Sequence, residues 1–187
     1  METPSDEATW ALVLASQPVA FGDIWDRHCD RILTYLLRLE GSRADAEDLT
    51  AVVFLELWRH RDSVRFVDGS LLPWLILTAH NVHRNAARSR RRYRAMLAKL
   101  PPPAPPLTTG DAELTDPRAE VARQIIASSR GADRDLAILT VVEGFTVAEA
   151  AQAVGLTEPA ARMRLSRLRT TIRSAASASA TLEGGVS

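Results

Sequence analysis

Several residue types and features are scarce in this chain. Aromatic residues make up 5% of its 187 positions, and lysine supplies one of its 23 basic side chains. The single cysteine, Cys29, excludes an internal disulfide and fits a reducing compartment. The first ten residues, METPSDEATW, lack the basic start and apolar stretch of a signal peptide, and no apolar run approaches the roughly 18 residues that span a membrane. We therefore expect a cytoplasmic chain without membrane insertion, whose core consists of Leu, Val, Ile and Ala.

The sequence also lacks the patterns that indicate catalysis. It contains no glycine-rich loop for phosphate and no recognisable pairing of a nucleophile with its base. His28, Cys29, His80 and His83 are residue types that bind metals, but their spacing does not match a zinc pattern. We expect no catalytic residue, no metal site and no cofactor.

Charge is unevenly distributed along the chain, although the formal net charge is zero. Residues 84–99 contain six Arg and one Lys without an acid, and residues 158–173 contain five Arg and one Glu. Residues 40–68 contain seven acids against four Arg. Separate basic and acidic segments indicate two kinds of partner, although a basic helix end that is merely solvated is the alternative.

Apolar residues recur with a helical period through nearly the whole chain, and no segment alternates convincingly as a strand does. Ser5, Ser42 and Ser70 precede helical segments and are suitable N-caps. The predicted helices cover residues 10–15, 19–39, 46–58, 71 to about 92, 117–126, 133–144 and a final pair within 146–173. The predicted fold class is therefore all-α.

A proline-rich segment divides the chain into two helical parts. Five prolines occur among residues 101–106, which excludes helix and sheet there and predicts an extended linker. The expected organisation is a helical domain at residues 1–96, the linker at 97–116, a smaller helical domain at 117–174 and a flexible tail at 175–187.

Residues 145–169, FTVAEAAQAVGLTEPAARMRLSRLR, have the pattern of two helices joined by a turn. Thr146 and Glu149 form a capping box that starts the first helix. Gly155 supplies the turn, and Thr157 is a suitable cap for the second helix. This arrangement is typical of a helix-turn-helix.

The second helix of this pair has an apolar stripe through Ala161, Leu165 and Leu168 and a basic, hydroxyl-bearing opposite face. Such a face on the second helix is what reading the major groove of DNA requires. A solvated arginine face on a structural helical hairpin is the alternative. The candidate DNA-contacting residues are Arg162, Met163, Arg164, Ser166, Arg167 and Thr170.

Residues 133–173 resemble region 4 of the sigma-70 family of bacterial RNA polymerase sigma factors. The matching features are Asp133-Arg134, Ala148-Glu149-Ala150-Ala151, Gly155 and the ending Arg164-Leu165-Ser166-Arg167-Leu168-Arg169. Pro159-Ala160-Ala161 stands where Gly-Thr-Val is usual, which removes a hydroxyl that could contact the DNA backbone. Because ordinary regulators also carry a helix-turn-helix, the first half of the chain has to distinguish the two classes.

The first half resembles region 2 of the same family. Residues 46–58, AEDLTAVVFLELW, are similar to the helix by which sigma factors dock on the polymerase clamp. The matching residues are Asp48, Leu49, Phe54 and Trp58, with Ala51 where Gln is common. Residues 71–92 resemble the following helix, through Trp74, Leu75, Ala79, Asn81 and the arginine run, with Asn85 where an acid is often seen. With both regions in order and only a linker between them, the chain is similar to the extracytoplasmic-function (ECF) class.

The resemblance implies three partners, namely core RNA polymerase, promoter DNA and an anti-sigma factor. The polymerase-binding residues would be Glu47, Asp48, Leu49 and Phe54. Helical spacing alone leaves open whether Leu49 and Phe54 face the polymerase or the core. The acidic surface could meet basic residues on the polymerase.

The opened downstream promoter element and its phosphates would be bound by Trp74, Asn81, Arg84, Arg88, Arg91 and Arg92. Arginine neutralises phosphate without regard to sequence. The loop at residues 63–70 would capture unstacked bases, which need stacking surfaces and pockets. A tryptophan at such a position is more often simply a core residue, and this is the alternative for Trp74.

These features predict an alternative sigma factor that joins core polymerase, recognises two promoter elements and promotes strand opening. One competing hypothesis is a helix-turn-helix regulator that never joins polymerase. Another is a helical interaction protein whose basic faces are only solvated.

Overall fold

The computed structural model describes residues 4–97, 129 and 131–183, and every regular element within these ranges is a helix. The helices are α1 (Asp6–Leu14), α2 (Pro18–Glu40), α3 (Arg43–Arg59), α4 (Leu72–Leu97), α5 (Ala132–Ala137, continued by a π-helical turn at Ile138–Val142), α6 (Val147–Val154) and α7 (Glu158–Glu183). The all-α prediction is confirmed. In the described ranges, no helix is long and apolar enough to cross a membrane.

The described residues belong to two compact units, which we call the first unit (α1–α4) and the second unit (α5–α7). Nearly all of the predicted linker and the predicted helix at residues 117–126 lie outside the described residues. Each unit has its own core and is described by itself.

Local capping residues set several helix boundaries of the first unit as the sequence predicts. The Ser5 hydroxyl accepts the Ala8 N–H at the start of α1, and the Ser42 hydroxyl accepts the Asp45 N–H at the start of α3. Gly41 ends α2 with a φ of 71°, a left-handed conformation that glycine adopts without a steric penalty. These boundaries therefore follow from nearby residues alone.

The core of the first unit is mainly aliphatic. Its completely buried side chains include Ile24, Ile32, Leu36, Val53, Leu57, Leu71, Leu75 and Ile76. Each such burial contributes about 1.5–3 kcal/mol relative to exposure. Helices α2, α3 and α4 therefore form one packed body, against which α1 also lies.

Aromatic side chains, although scarce, gather where α2 meets α3. The ring of Phe21 lies 5.5 Å from Trp58 and 6.5 Å from Phe54, both edge to face. Trp25 lies 4.5 Å from Phe54. Edge-to-face pairs add about 0.5–1.5 kcal/mol beyond their buried area, so this cluster fixes the rotation of α3 against α2.

A buried carboxylate, Asp6, joins α1 to two other parts of the first unit. Arg27 and His28 of α2 donate to it, His28 through Nε2 at 2.7 Å. The Leu71 N–H donates at 2.8 Å and the Ser70 hydroxyl at 3.2 Å. Burial alone would raise the pKa of Asp6, but the hydrogen bonds from His28, Leu71 and Arg27 outweigh burial and hold the pKa well below its ordinary value. The carboxylate therefore stays ionised in the folded chain.

The second unit is built around a small aliphatic core. Its buried apolar side chains are Leu136, Ala137, Ile138, Leu139, Ala150, Ala151, Ala161 and Leu165. Thr146 and Glu149 form both hydrogen bonds of the predicted capping box, which confirms it. The hydrogen bonds from the Thr146 hydroxyl and N–H also lower the pKa of Glu149. Alanine on the buried side of α6 permits close helix packing.

Two helices extend well beyond their predicted C-terminal ends. Helix α4 continues to Leu97 and α7 continues to Glu183, beyond the expected ends near residues 92 and 173. Residues 175–183, within the expected tail, are therefore helical. Alanine, which has the highest helix propensity, is abundant in this segment.

The ionised state of Asp6 predicts how acid affects the first unit. A carboxylate whose pKa is lower in the folded than in the unfolded chain stabilises the fold above the unfolded pKa of about 3.9, and this stabilisation is lost as the pH falls below that value. We expect the free energy of unfolding to be level near pH 6 and to fall steadily below about pH 4. Because all four tryptophans (Trp10, Trp25, Trp58 and Trp74) lie in the first unit, tryptophan fluorescence during urea unfolding measures this unit alone.

Asp6→Asn should flatten this dependence on acid and lower stability at pH 7. Asp23→Asn, which neutralises an exposed carboxylate on α2, is the matched control and should keep the wild-type curve. An unchanged acid dependence in Asp6→Asn would show that Asp6 is not its source.

Candidate nucleic-acid interface

Helices α6 and α7 form a helix-turn-helix at the positions expected from the sequence. Gly155 ends α6 with a φ of 78°, and its N–H donates to the carbonyls of Ala151 and Gln152. Leu165 and Ala161 of α7 point into the core of the second unit. One side of α7 therefore packs against the core through its apolar stripe, and the opposite side is exposed.

The exposed side of α7 carries five of the six candidate residues for DNA contact. These are Arg162, Met163, Ser166, Arg167 and Thr170, all exposed. The Arg167 guanidinium donates to the Met163 thioether at 2.9 Å, and Arg162 pairs with Glu158 one turn earlier. The side chains are therefore collected on one accessible surface, which we call the α7 face.

Arg164 lies on a different side of α7 and contacts α5. Its Nη1 is 2.8 Å from Asp133 Oδ1, and both side chains are partly exposed. A helical residue two positions from Arg162 or Ser166 projects about 200° away from each. Arg164 therefore links α5 to α7 in this structure and is not a member of the α7 face, although the sequence grouped it with the DNA-contacting residues.

The candidate residues of α4 also share one side of their helix. Trp74, Asn81, Arg84, Arg88 and Arg92 are separated by seven, three, four and four positions, which places them on one helical face. Arg91 lies at its edge. Trp74, Asn81 and Arg84 are half-buried, and Arg88, Arg91 and Arg92 are exposed. We call this surface the α4 face.

Arg90 lies on the other side of α4 and pairs with Glu40 at the end of α2. Its Nη2 is 2.7 Å from Glu40 Oε2, and His83 Nδ1 is 2.8 Å from Glu40 Oε1. Burial alone would raise the pKa of Glu40, but the hydrogen bonds from Arg90 and His83 lower it below its ordinary value. This ion pair fastens the basic half of α4 to α2.

The segment between α3 and α4 contains a tight turn. Asp68 and Gly69 both have positive φ, 49° and 74°, and Val67 and Ser70 exchange backbone hydrogen bonds across them. Two successive left-handed residues of the Asp-Gly type are typical of a type I′ turn. The loop at residues 63–70, which we call the capture loop, therefore ends in a rigid turn directly before α4.

Helix α3 presents an exposed apolar surface beside its acidic residues. Val52 is 39% exposed and Leu55 is 48% exposed, and their spacing from Asp48 puts all three on one side of the helix. We call this surface the α3 face. Glu47 lies beside it, with Arg43 Nε 2.8 Å from its Oε1.

Phe54 belongs to the core and not to this surface. Its side chain is 2% exposed and packs between the rings of Phe21 and Trp25. Leu49 is half-buried. The sequence expectation that Phe54 offers apolar area to a partner is therefore corrected, because the aromatic cluster takes up that side chain. Val52 and Leu55, which the sequence interpretation did not select, supply the exposed apolar area.

Comparison with known proteins identifies the family. The family model described as Sigma-70 region 2 matches residues 24–93, which include most of α2, all of α3 and most of α4. The RNA polymerase sigma factor CarQ of Myxococcus xanthus is 30% identical over 152 residues, covering 79% of this chain and 84% of that protein. The ECF RNA polymerase sigma factor SigE of Mycolicibacterium smegmatis is 29% identical over 188 residues, covering 91% of this chain and 68% of that protein.

A solved structure shares the fold. CnrH, in a structure with the cytosolic domain of CnrY, matches 98% of this chain and 100% of its own length with a TM-score of 0.53 and 21% sequence identity. The order of helices that carries the three faces is therefore found in another protein. On the identity and coverage of its relatives, the chain belongs to the sigma-70 family of RNA polymerase sigma factors, and to the extracytoplasmic-function class within it.

Proposed function

We propose that this alternative sigma factor divides promoter recognition between its two units. The second unit reads the upstream promoter element as duplex DNA, and the first unit binds core RNA polymerase and captures the opened downstream element. The observation that carries this proposal is the presence of an exposed basic face in each unit, on α7 and on α4. The chain would act in the cytoplasm, by binding and not by catalysis.

The α7 face is suited to the major groove. Arginine can donate two hydrogen bonds to guanine, and serine or threonine can contact bases or phosphates. Arg162, Ser166 and Arg167 supply these groups on a helix whose opposite side is packed in the core. The Arg164–Asp133 ion pair links α7 to α5 beside the face, and its contribution is small because both side chains are well exposed.

The α4 face is suited to an opened strand. Exposed Arg88, Arg91 and Arg92 provide positive charge for phosphates near the end of the helix. Trp74 and Asn81, nearer its start, provide a ring surface and an amide that can hydrogen-bond a base edge. The capture loop directly precedes the start of α4. Base contacts would therefore lie near the start of the helix and phosphate contacts near its end.

The α3 face is suited to a basic protein partner. Val52 and Leu55 provide solvent-exposed apolar area, and Asp48 provides charge beside them. Interfaces commonly combine an apolar centre with charged surroundings that orient the partner. We assign this surface to core polymerase, with Val52 and Leu55 in place of the buried Phe54.

We also propose that an anti-sigma protein holds the chain inactive until it is needed. The supporting observation is that CnrH, a protein of the same fold, forms a complex with the cytosolic domain of CnrY. Such a partner would have to cover at least one of the three faces to prevent transcription.

Transcription in vitro over a pool of genomic fragments tests the proposed function as a whole. The purified chain and core polymerase together should start transcripts at discrete sites that share two sequence elements, whereas either component alone should not. Failure to form a stable polymerase complex would overturn the proposal. DNA binding without polymerase binding would instead indicate the regulator hypothesis.

Arg167→Ala should weaken binding to the upstream element by about tenfold, because one well-placed side chain contact to a base contributes about 1–3 kcal/mol. Discrimination against altered upstream elements should fall as well. Titration of a duplex oligonucleotide from a selected promoter measures both effects.

Arg94→Ala is the charge-matched control, since Arg94 is exposed on α4 of the first unit and is not part of the α7 face. It should lose only a small, sequence-independent part of the affinity. Equal losses in the two variants would remove Arg167 from the DNA-reading set.

We expect Leu55, the more exposed apolar residue of the α3 face, to belong to the minority of interface residues whose truncation costs more than about 1 kcal/mol. Leu55→Ala should therefore weaken core polymerase binding by about tenfold. Asp48→Ala should also weaken core polymerase binding, and this loss of affinity should be smaller at high salt concentration, because salt screens exposed charges. Neither change should alter affinity for upstream duplex DNA. Fluorescence anisotropy of labelled chain titrated with core polymerase gives the dissociation constants.

Leu12→Ala is the control for Leu55→Ala, because Leu12 is 45% exposed on α1 and is a similar apolar truncation outside α3. It should bind core polymerase as the wild type does. If Leu12→Ala weakens binding as much as Leu55→Ala, the α3 face is not the specific contact.

Arg88→Ala should reduce the salt dependence of promoter binding by the complete polymerase complex. Loss of one phosphate contact lowers the slope of log K against log salt concentration by about 0.7–0.9. Arg94→Ala removes the same charge from the opposite side of α4 and should change the slope less. Binding to a promoter with a pre-opened downstream element, measured at several salt concentrations, distinguishes the two. An identical slope change in both variants would contradict the assigned face.

A further inference from the structure

Helix α1 contributes no residue to the three faces, yet it is tied to the segment that carries the capture loop. Trp10, whose side chain is 1% exposed, donates its indole N–H to the Arg61 carbonyl at 3.0 Å. Arg61 lies two residues before the capture loop begins. One end of the loop is therefore held by α1 through a partly buried hydrogen bond across 51 sequence positions.

The other end of the loop is held by the first turn of α1. Asp6 accepts hydrogen bonds from the Ser70 hydroxyl and the Leu71 N–H, and the Glu7 N–H donates to the Gly69 carbonyl at 3.2 Å. These contacts join residues more than 60 positions apart. They involve both the turn that closes the loop and the first residues leading into α4.

The turn itself packs directly on α1. A Cβ added to Gly69 would lie 3.3 Å from the Cβ of Ser5, closer than most such contacts, and its φ of 74° disfavours any side chain. The close approach leaves α1 and the turn little room to shift independently. In contrast, Asp62, Ser63 and Arg65 between the two ties are exposed to solvent.

The charge of Asp6 does not interfere with an approaching DNA strand. Its carboxylate is buried, and Arg27 and His28 both contact it. A buried carboxylate with several donors can hold a segment firmly, because releasing any one donor exposes an unsatisfied polar group. The contact therefore suits a role in positioning.

We propose that α1 is a positioning helix for the capture loop, and that Asp6 is its central positioning residue for strand opening. This inference rests on the proposed function of the capture loop. Capture of an unstacked base is strongest when its pocket is already formed, since ordering a loosened loop on binding lowers affinity. Helix α1 acts through the loop and does not itself contact DNA.

Two variants test this role. Asp6→Asn keeps the shape of the side chain but removes its charge and part of its accepting capacity, and so loosens the end of the loop. Trp10→Phe removes the indole N–H that donates to Arg61 and so releases the beginning of the capture loop. The control is Tyr35→Phe, which removes a hydroxyl 3.1 Å from His80 Nδ1 between α2 and α4, distant in sequence from both ties.

Hydrogen exchange of the free chain measures the loop directly. Asp6→Asn should speed exchange in peptides covering residues 61–71 by about tenfold more than it speeds exchange in peptides from the middle of α2 and α3, which report the overall stability of the first unit. Trp10→Phe should act in the same direction near Arg61. Tyr35→Phe should leave the loop peptides unchanged. Equal loss of protection throughout the first unit would show a general loss of stability and overturn the positioning role.

Strand capture is measured with the complex of chain and core polymerase. The probe is a single-stranded oligonucleotide of the non-template strand across the opened segment of a promoter selected by transcription. Asp6→Asn should bind it about tenfold more weakly, Trp10→Phe should also lose affinity, and Tyr35→Phe should stay within about twofold of the wild type. Affinity for core polymerase and for upstream duplex should be unchanged in all three.

Wild-type capture in Asp6→Asn and Trp10→Phe, despite faster loop exchange, would overturn the inference while leaving the proposed function intact. A parallel loss of polymerase binding would likewise overturn it, because Asp6 would then support the fold alone. If the wild-type complex itself does not bind the single strand, the proposed function of the capture loop is wrong, and the role of α1 in strand capture is wrong with it. Should Asp6→Asn not fold, Trp10→Phe carries the same comparison.

Discussion

The buried carboxylate of Asp6 joins α1, α2 and the start of α4, three segments that are far apart in sequence. An ionised group in an aliphatic core is tolerated only when several donors replace the water that it has lost. Here the donors come from Arg27, His28, Ser70 and Leu71, so folding must bring all of these segments together. The direction in which α4 leaves the capture loop, and with it the placement of the α4 face, depends on this arrangement.

A second constraint governs where function is located on each helix. A helix in a small domain must bury one side, so groups that bind a partner occupy the remainder. Basic side chains on the inward or neighbouring sides are paired, as Arg90 is with Glu40 and Arg164 is with Asp133. Those that face outward on α4 and α7 are accessible to phosphate. An arginine therefore serves either folding or binding, according to its position around the helix.

Much of this organisation could be predicted from the sequence because its signals are local. Ser5, Ser42, Thr146 and Gly155 cap their helices through residues a few positions away, and five of the six DNA-contact candidates on α7 share the exposed side. Contacts across long separations were not predictable. Asp6 was identifiable only as part of a helix start, and the burial of Phe54 depends on aromatic partners on α2. Helical spacing did not show which of Phe54 and Leu55 is buried. Neighbouring positions project only about 100° apart, and an apolar stripe of that width can include both.

We expect this chain to enable core polymerase to open a promoter. Permanganate reactivity of thymines in a linear duplex promoter, selected by transcription from a genomic pool, measures opening directly. The chain and core polymerase together should make downstream-element thymines reactive, whereas each alone should leave them protected. Protected thymines in the presence of a stable complex on that promoter would contradict the account.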